Sequence, residues 1–153
     1  MSDKILFYGV GDEHGAFSNF APYPISLDGR RWPTSEHYFQ AQKFLDPKLR
    51  EQIRRASKPA QAASLGRDRR TPLRRDWESI KVDVMRKAVA AKFEQHPDLA
   101  ALLLATGDSV IVEHTEADAF WGDGGDGSGK NMLGRILMEI RTRLSSAAER
   151  QYR

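Results

Sequence analysis

No cysteine occurs among the 153 residues. That excludes disulfides, thiolate nucleophiles, cysteine-ligated zinc and iron–sulfur clusters. No apolar run approaches the roughly 20 residues of a membrane-spanning helix; the longest lies near Ala100–Ala105. The start, Met1-Ser-Asp-Lys-Ile-Leu-Phe-Tyr, contains no apolar core of a secretory leader. The expectation is a soluble, cytoplasmic protein. Charge of either sign is in little excess: Lys+Arg 24 against Asp+Glu 21 leaves +3. Such a balance admits a phosphate-bearing ligand without requiring a nucleic acid. No repeat and no linker interrupts the chain.

What is present is the make-up of a folded protein. Hydrophobic residues at 40% and charged residues at 29% argue against disorder. The length suits one domain with a sizeable core. Lys4–Val10 reads as a strand. Pro24–Asp28 and Arg30–Trp32 read as a hairpin about Asp28-Gly29. Pro33-Thr34-Ser35 opens a helix through Leu45, and Asp46-Pro47 a second to about Ala56. Ser57–Leu65 is a third, with Gly66 as its stop. Asp76 caps a long helix to about Gln95, and Pro97–Thr106 is stopped by Gly107. Ser109–Thr115 alternates as a strand, with Val110, Val112 and His114 on one face. Asn131–Leu144 is a last helix, and polar Ser145–Arg153 is expected to fray. The class is α+β, a helix-rich single domain with a small sheet.

Several patterns look chemical. Gly124–Asn131 fits G-x-x-x-x-G-K, but Asn131 stands where a phosphate loop needs Ser or Thr, and Asp126 would repel phosphate. Asp123, Asp126 and Ser128 do not follow the ligand spacing of a calcium loop. The histidines His14, His37, His96 and His114 form no zinc motif. The glycine-rich stretch reads as a flexible loop, or, with Trp121 and two aspartates, as backbone that approaches a ligand closely.

Glu36, Gln40 and Lys43 fall at i, i+4 and i+7 and share a helix face, while Tyr38, Ala41 and Leu45 make an apolar stripe. Glu36 serves either the helix dipole or, beside aromatic residues, as a reacting carboxylate. Trp77, Lys81 and Met85 share a face, either as core with a snorkelling lysine or as an aromatic wall beside a cation. Arg67, Arg69, Arg70, Arg74 and Arg75 form a solvated run or a phosphate contact. Ser18-Asn19, flanked by Phe17 and Phe20, is turn chemistry or a grip on a planar ligand.

Together these segments resemble the NADAR family, also called YbiA-like. The matching motifs are Phe7-Tyr8, Phe17–Phe20, Trp32–Phe44, Trp77 with Lys81 and Met85, Phe120–Gly124, and Gly129-Lys130-Asn131 with Leu133-Gly134. They run in family order from about residue 5 to 144. The resemblance implies a YbiA-like N-glycosidase domain over residues 1–145, followed by a polar tail at 146–153. It implies hydrolysis of the bond joining ribose 5-phosphate to the amino group of a diaminopyrimidine, in early riboflavin-pathway intermediates. The alternatives are removal of ADP-ribose from guanine in DNA, and a non-catalytic module that binds ADP-ribose or a nucleotide. By position, Glu36 matches the family's essential glutamate, Trp77 a pocket tryptophan and Asp123 a second acid. Asn19, Lys43 and Asn131 fall in the same motifs.

The chemistry agrees with these roles. Breaking an N-glycosidic bond builds positive charge on the sugar, which a carboxylate stabilises, or relieves by taking a proton from water. Glu36 and Asp123 are expected to divide the work within one aromatic-lined cleft, as paired carboxylates do in O-glycosidases. Trp32 or Trp77 would stack on the base. Lys43, Lys81 or an arginine of 67–75 would bind phosphate. Phe20 and Trp121 complete the candidate binding set. No metal and no other cofactor is expected.

Overall fold

The computed structural model describes residues 3–151. In chain order it holds β1 (Lys4–Phe7), a 3₁₀ turn (Gly15–Phe17), β2 (Ile25–Leu27), β3 (Arg30–Trp32) and α1 (Ser35–Ala41). There follow α2 (Pro47–Arg54), α3 (Pro59–Arg67), α4 (Trp77–Gln95), α5 (Pro97–Ala105), β4 (Val110–Glu113) and α6 (Met132–Gln151). The class is α+β, as expected. The strands make two two-stranded sheets, β1 parallel to β4 and β2 antiparallel to β3. No helix among the described residues is long and apolar enough to cross a membrane. The chain divides into two compact units, one of Asn19–Lys92 and one of the residues before and after it.

In the unit Asn19–Lys92, the hairpin closes through Asp28 (φ 55°) and Gly29 (φ 74°). Both central residues are left-handed, which matches the twist of the flanking strands. Trp32 Nε1 donates to Leu27 O across the hairpin at 3.1 Å. Thr34 caps α1 by accepting from His37 N, and every residue of α1 is buried. His37 is structural. Its Nε2 meets Ala56 O at 2.9 Å and its Nδ1 meets Thr34 Oγ1 at 2.8 Å, while burial lowers its pKa. Asp46 caps α2 through Lys48 N, ahead of Pro47 in the first turn. Ile25, Trp32, Tyr38, Phe44, Ile53 and Ala88 belong to the core of this unit.

Three expectations fail here. α1 ends at Ala41 rather than Leu45, because Lys43 N and Phe44 N turn back to Gln40 O and Ala41 O, and Arg74 N takes the Lys43 carbonyl. Leu45 is therefore exposed and outside the stripe of Tyr38 and Ala41. Gly66 does not stop α3. It lies inside the helix, buried, where a close approach requires it.

In the other unit, Phe7 meets Phe17 edge-on at 5.9 Å, and Phe17 meets Phe93 at the same distance. β1 and β4 pair from Lys4↔Val110 to Phe7↔Glu113. On β4, Ile111 is fully buried and Val112 is buried on the opposite face, while Val110 at the strand start is exposed. α6 packs on β4 closely enough for Gly134 to abut Ile111 O. His114 lies beyond the strand end. The residues from Ser145 do not fray: α6 continues through Gln151, carried by the helix formers Ala147, Ala148, Glu149 and Arg150. Tyr152 and Arg153 lie outside the described residues.

Candidate active site

The N-terminus of α1 is fixed by Asn19. Glu36 N donates to Asn19 O at 3.3 Å, Ser35 Oγ donates to Asn19 Oδ1 at 2.7 Å, and Asn19 Nδ2 reaches Met85 Sδ at 3.2 Å. The Asn19 side chain is thus committed to holding the helix that carries Glu36. Glu36 is buried at 8% exposure, and its Oε1 accepts from Gln40 Nε2 at 2.7 Å.

In the turn after α1 stands Lys43, its ammonium 5.7 Å from the Phe39 ring centroid. Its pKa is pushed down to about 8, first by burial and then by Arg69. Glu36 opposes the shift, while Arg67 and Lys81 add to it. Four cations and one carboxylate therefore act on one another at this place. Arg69 is held by its guanidinium donating to Gly66 O, and Lys81 pairs with exposed Glu78 at 2.7 Å. Trp77 is buried against Phe39, with ring centroids 5.2 Å apart. The arginine run does not form one open basic stripe: Arg70 pairs with Asp68 and Arg74 with Asp76.

Trp32 belongs elsewhere in this unit. It is buried edge-on against Tyr38 at 5.2 Å. With Gln42, Lys48 and Arg50 it lines a cavity of about 570 Å³ that contains neither Glu36 nor Lys43. Phe20 is exposed.

In the other unit, Asp123 is buried and its carboxylate is occupied by its own loop. Oδ2 meets His114 Nδ1 at 2.7 Å, and Oδ1 accepts from Thr115 N at 3.1 Å and Gly125 N at 2.9 Å. A carboxylate only accepts, so Nδ1 carries the proton. The His114 hydrogen bond, ahead of those from Gly125 and Thr115, holds the Asp123 carboxyl below the usual range. The glycine-rich stretch is not a loose loop. Gly129 N, Lys130 N, Asn131 N and Met132 N donate in turn to Asp123 O, Ala119 O, Gly122 O and Phe120 O. Asp118 and Asp126 cap its turns through Trp121 N and Ser128 N. Asn131 adopts φ 53° and bridges β4, accepting from Glu113 N and donating to Ile111 O. Trp121 is half-buried, edge-on to Phe120 at 4.8 Å.

The sequence places Gln40 on the Glu36 face but gives it no role, reads Gly66 as a stop, and offers no local link between His114 and Asp123. Only the Glu36–Gln40 spacing carried a usable signal, since i and i+4 side chains touch on a helix.

This arrangement stands beside close relatives. A family model described as the NADAR domain matches residues 6–145. The N-glycosidase YbiA of Escherichia coli (strain K12) is 64% identical over 146 residues, covering 95% of this chain and 91% of that protein. A riboflavin biosynthesis protein of Vibrio vulnificus is 51% identical over 148 residues, 97% of this chain but 40% of that longer protein. The NMR structure of the E. coli protein YbiA superposes with a TM-score of 0.89 at 62% identity, over 97% of this chain and 89% of that one. The motifs from Phe7 to Gly134 lie within the matched span, and the chain belongs to the NADAR family.

Proposed function

We propose that this chain is an N-glycosidase, a hydrolase that cleaves phosphoribosylamino-pyrimidine intermediates of riboflavin biosynthesis in the cytoplasm. The observation that carries the reading is the buried Glu36 carboxylate acting on Lys43 just past the end of α1, with Arg67, Arg69 and Lys81 also acting on that lysine. A carboxylate suits the positive charge that grows on the ribose ring as the C–N bond breaks. A cation cluster suits a 5-phosphate. The names N-glycosidase YbiA and riboflavin biosynthesis protein on relatives support both halves of the reading.

In the proposed reaction the oxygen of water bonds to ribose C1 and the bond from C1 to the exocyclic nitrogen breaks. Glu36 stabilises the ring cation, takes a proton from the attacking water and returns it to solvent, while the leaving nitrogen takes a proton from solvent, so that the water ends as C1–OH and N–H. Phe39 and Trp77 supply aromatic surface beside Lys43. Asp123 fits an acceptor better than a proton donor, because three hydrogen bonds favour its ionised form.

Purified protein incubated with a phosphoribosylamino-pyrimidine should release ribose 5-phosphate. Glu36→Gln should cut the rate by about 10²-fold or more with the fold intact by circular dichroism. ADP-ribosylated DNA, offered in parallel, should not be cleaved. Absence of release by the wild type would overturn the proposal, and cleavage of the DNA would redirect it.

A further inference from the structure

Gln40 is 5% exposed, and its side-chain oxygen Oε1 has no hydrogen-bond partner among the described residues. An unpaired buried acceptor lowers stability, and where a native chain keeps one it calls for an explanation. The other end of the same amide explains it. Nε2 donates to Glu36 Oε1 at 2.7 Å. Because a carboxylate only accepts, the nitrogen must face Glu36 and the oxygen must face away. What the oxygen faces is Gly66. A Cβ at that position would lie 1.9 Å from Oε1 and 2.8 Å from the amide carbon. No rotation of a methyl group escapes such a contact, so any side chain at 66 drives the amide off its line to Glu36. The carbonyl of the same glycine accepts from Arg69, one of the cations acting on Lys43.

We propose that Gln40 is a positioning residue that aims the Glu36 carboxylate, and that Gly66 is the clearance that keeps the amide aimed. The proposal rests on the reading of Glu36 as the reacting carboxylate. A leucine at 40 would fill nearly the same space without burying an unpaired oxygen, but it would take the N–H from the buried Glu36 Oε1. The amide is retained for the direction of its N–H.

The test combines two variants with a measurement that needs no substrate. In Gln40→Leu, kcat for ribose 5-phosphate release falls at least about tenfold, as for a misaimed reacting group. KM stays within about twofold, and circular dichroism shows the fold intact at the assay temperature. Gly66→Ala lowers kcat similarly, and most of that loss disappears in a Gln40→Ala background, the non-additivity of touching residues. Carboxyl ¹³C NMR of the substrate-free protein follows Glu36 directly. Its titration midpoint moves to higher pH in Gln40→Leu, since a donor to the ionised form is gone. The charges nearby, Lys43 just after α1, Lys81 on α4, Arg67 at the end of α3 and Arg69 beyond it, are the same in both proteins. Unchanged kcat, a kcat loss that tracks unfolding at the assay temperature, or an unmoved Glu36 midpoint would each overturn the proposal. If the wild type releases no ribose 5-phosphate, the functional reading fails, and the Glu36 midpoint alone decides whether Gln40 holds that carboxylate.

Discussion

His114 Nδ1 donates to Asp123 Oδ2 at 2.7 Å, and this bond is the first cause of the lowered Asp123 pKa. The folded state therefore binds fewer protons at Asp123 than the unfolded chain does. The contribution to stability is complete above the ordinary value of 3.8 and is lost as pH falls through the lowered folded-state value. Asp123→Asn puts an amide where two sets of donors already point. We expect a Tm a few degrees below wild type at neutral pH, with the gap closing on acidification. Thermal melts of both proteins across pH check this, and a gap that does not depend on pH would contradict it.

Lys43 gives the opposite sign. Its folded pKa of about 8 lies below the ordinary 10.5, so the unfolded chain binds the extra proton between those values. Its burial cost is fully present below pH 8 and disappears as pH rises toward 10.5. Lys43→Met should raise Tm at pH 7 and lose that advantage in alkaline buffer. Inorganic phosphate should raise the Tm of the wild type at pH 7 by binding the folded state, and should do so much less for Lys43→Met. Equal phosphate shifts in the two proteins would detach the cation cluster from anion binding.

Gly134 abuts the sheet. A Cβ there would lie 2.1 Å from Ile111 O, and the Asn131 amide is within 2.5 Å on another side. Backbone cannot yield as a side-chain tip can. Gly134→Ala should therefore cost at least about 2 kcal/mol, the middle of the range for overpacking, although alanine is the better helix former. Urea denaturation measures it, and a neutral result would mean that α6 slides on β4 without cost.

The sequence was informative wherever structure is set by near neighbours. Asp28-Gly29 announces its turn because few pairs accept two left-handed residues in succession. Asp46-Pro47 announces a helix start because the carboxylate and the ring act within one turn. The same logic found the face shared by Glu36 and Gln40, while Lys43 falls beyond the end of α1. It was uninformative where a residue answers to something distant. Gly66 near a helix end reads equally as a stop or as a clearance, and only the position of Gln40 on another helix decides. The pairing of Lys4 with Val110 spans most of the chain and leaves no local trace. Asn19 and Asn131 look like binding residues because amides serve ligands and backbone alike. Here their side chains are spent on Ser35 and Met85, and on β4.

A helix of seven residues with every side chain enclosed has no idle flank. An ordinary surface helix takes mutation in a rhythm, tolerant on the wet side and intolerant on the dry one. From Ser35 to Ala41 that rhythm is absent, so a random change at any of the seven falls on packing, on the cap or on the Glu36 face. Engineering of this protein therefore has its freedom in the helices around α1, and almost none in α1 itself.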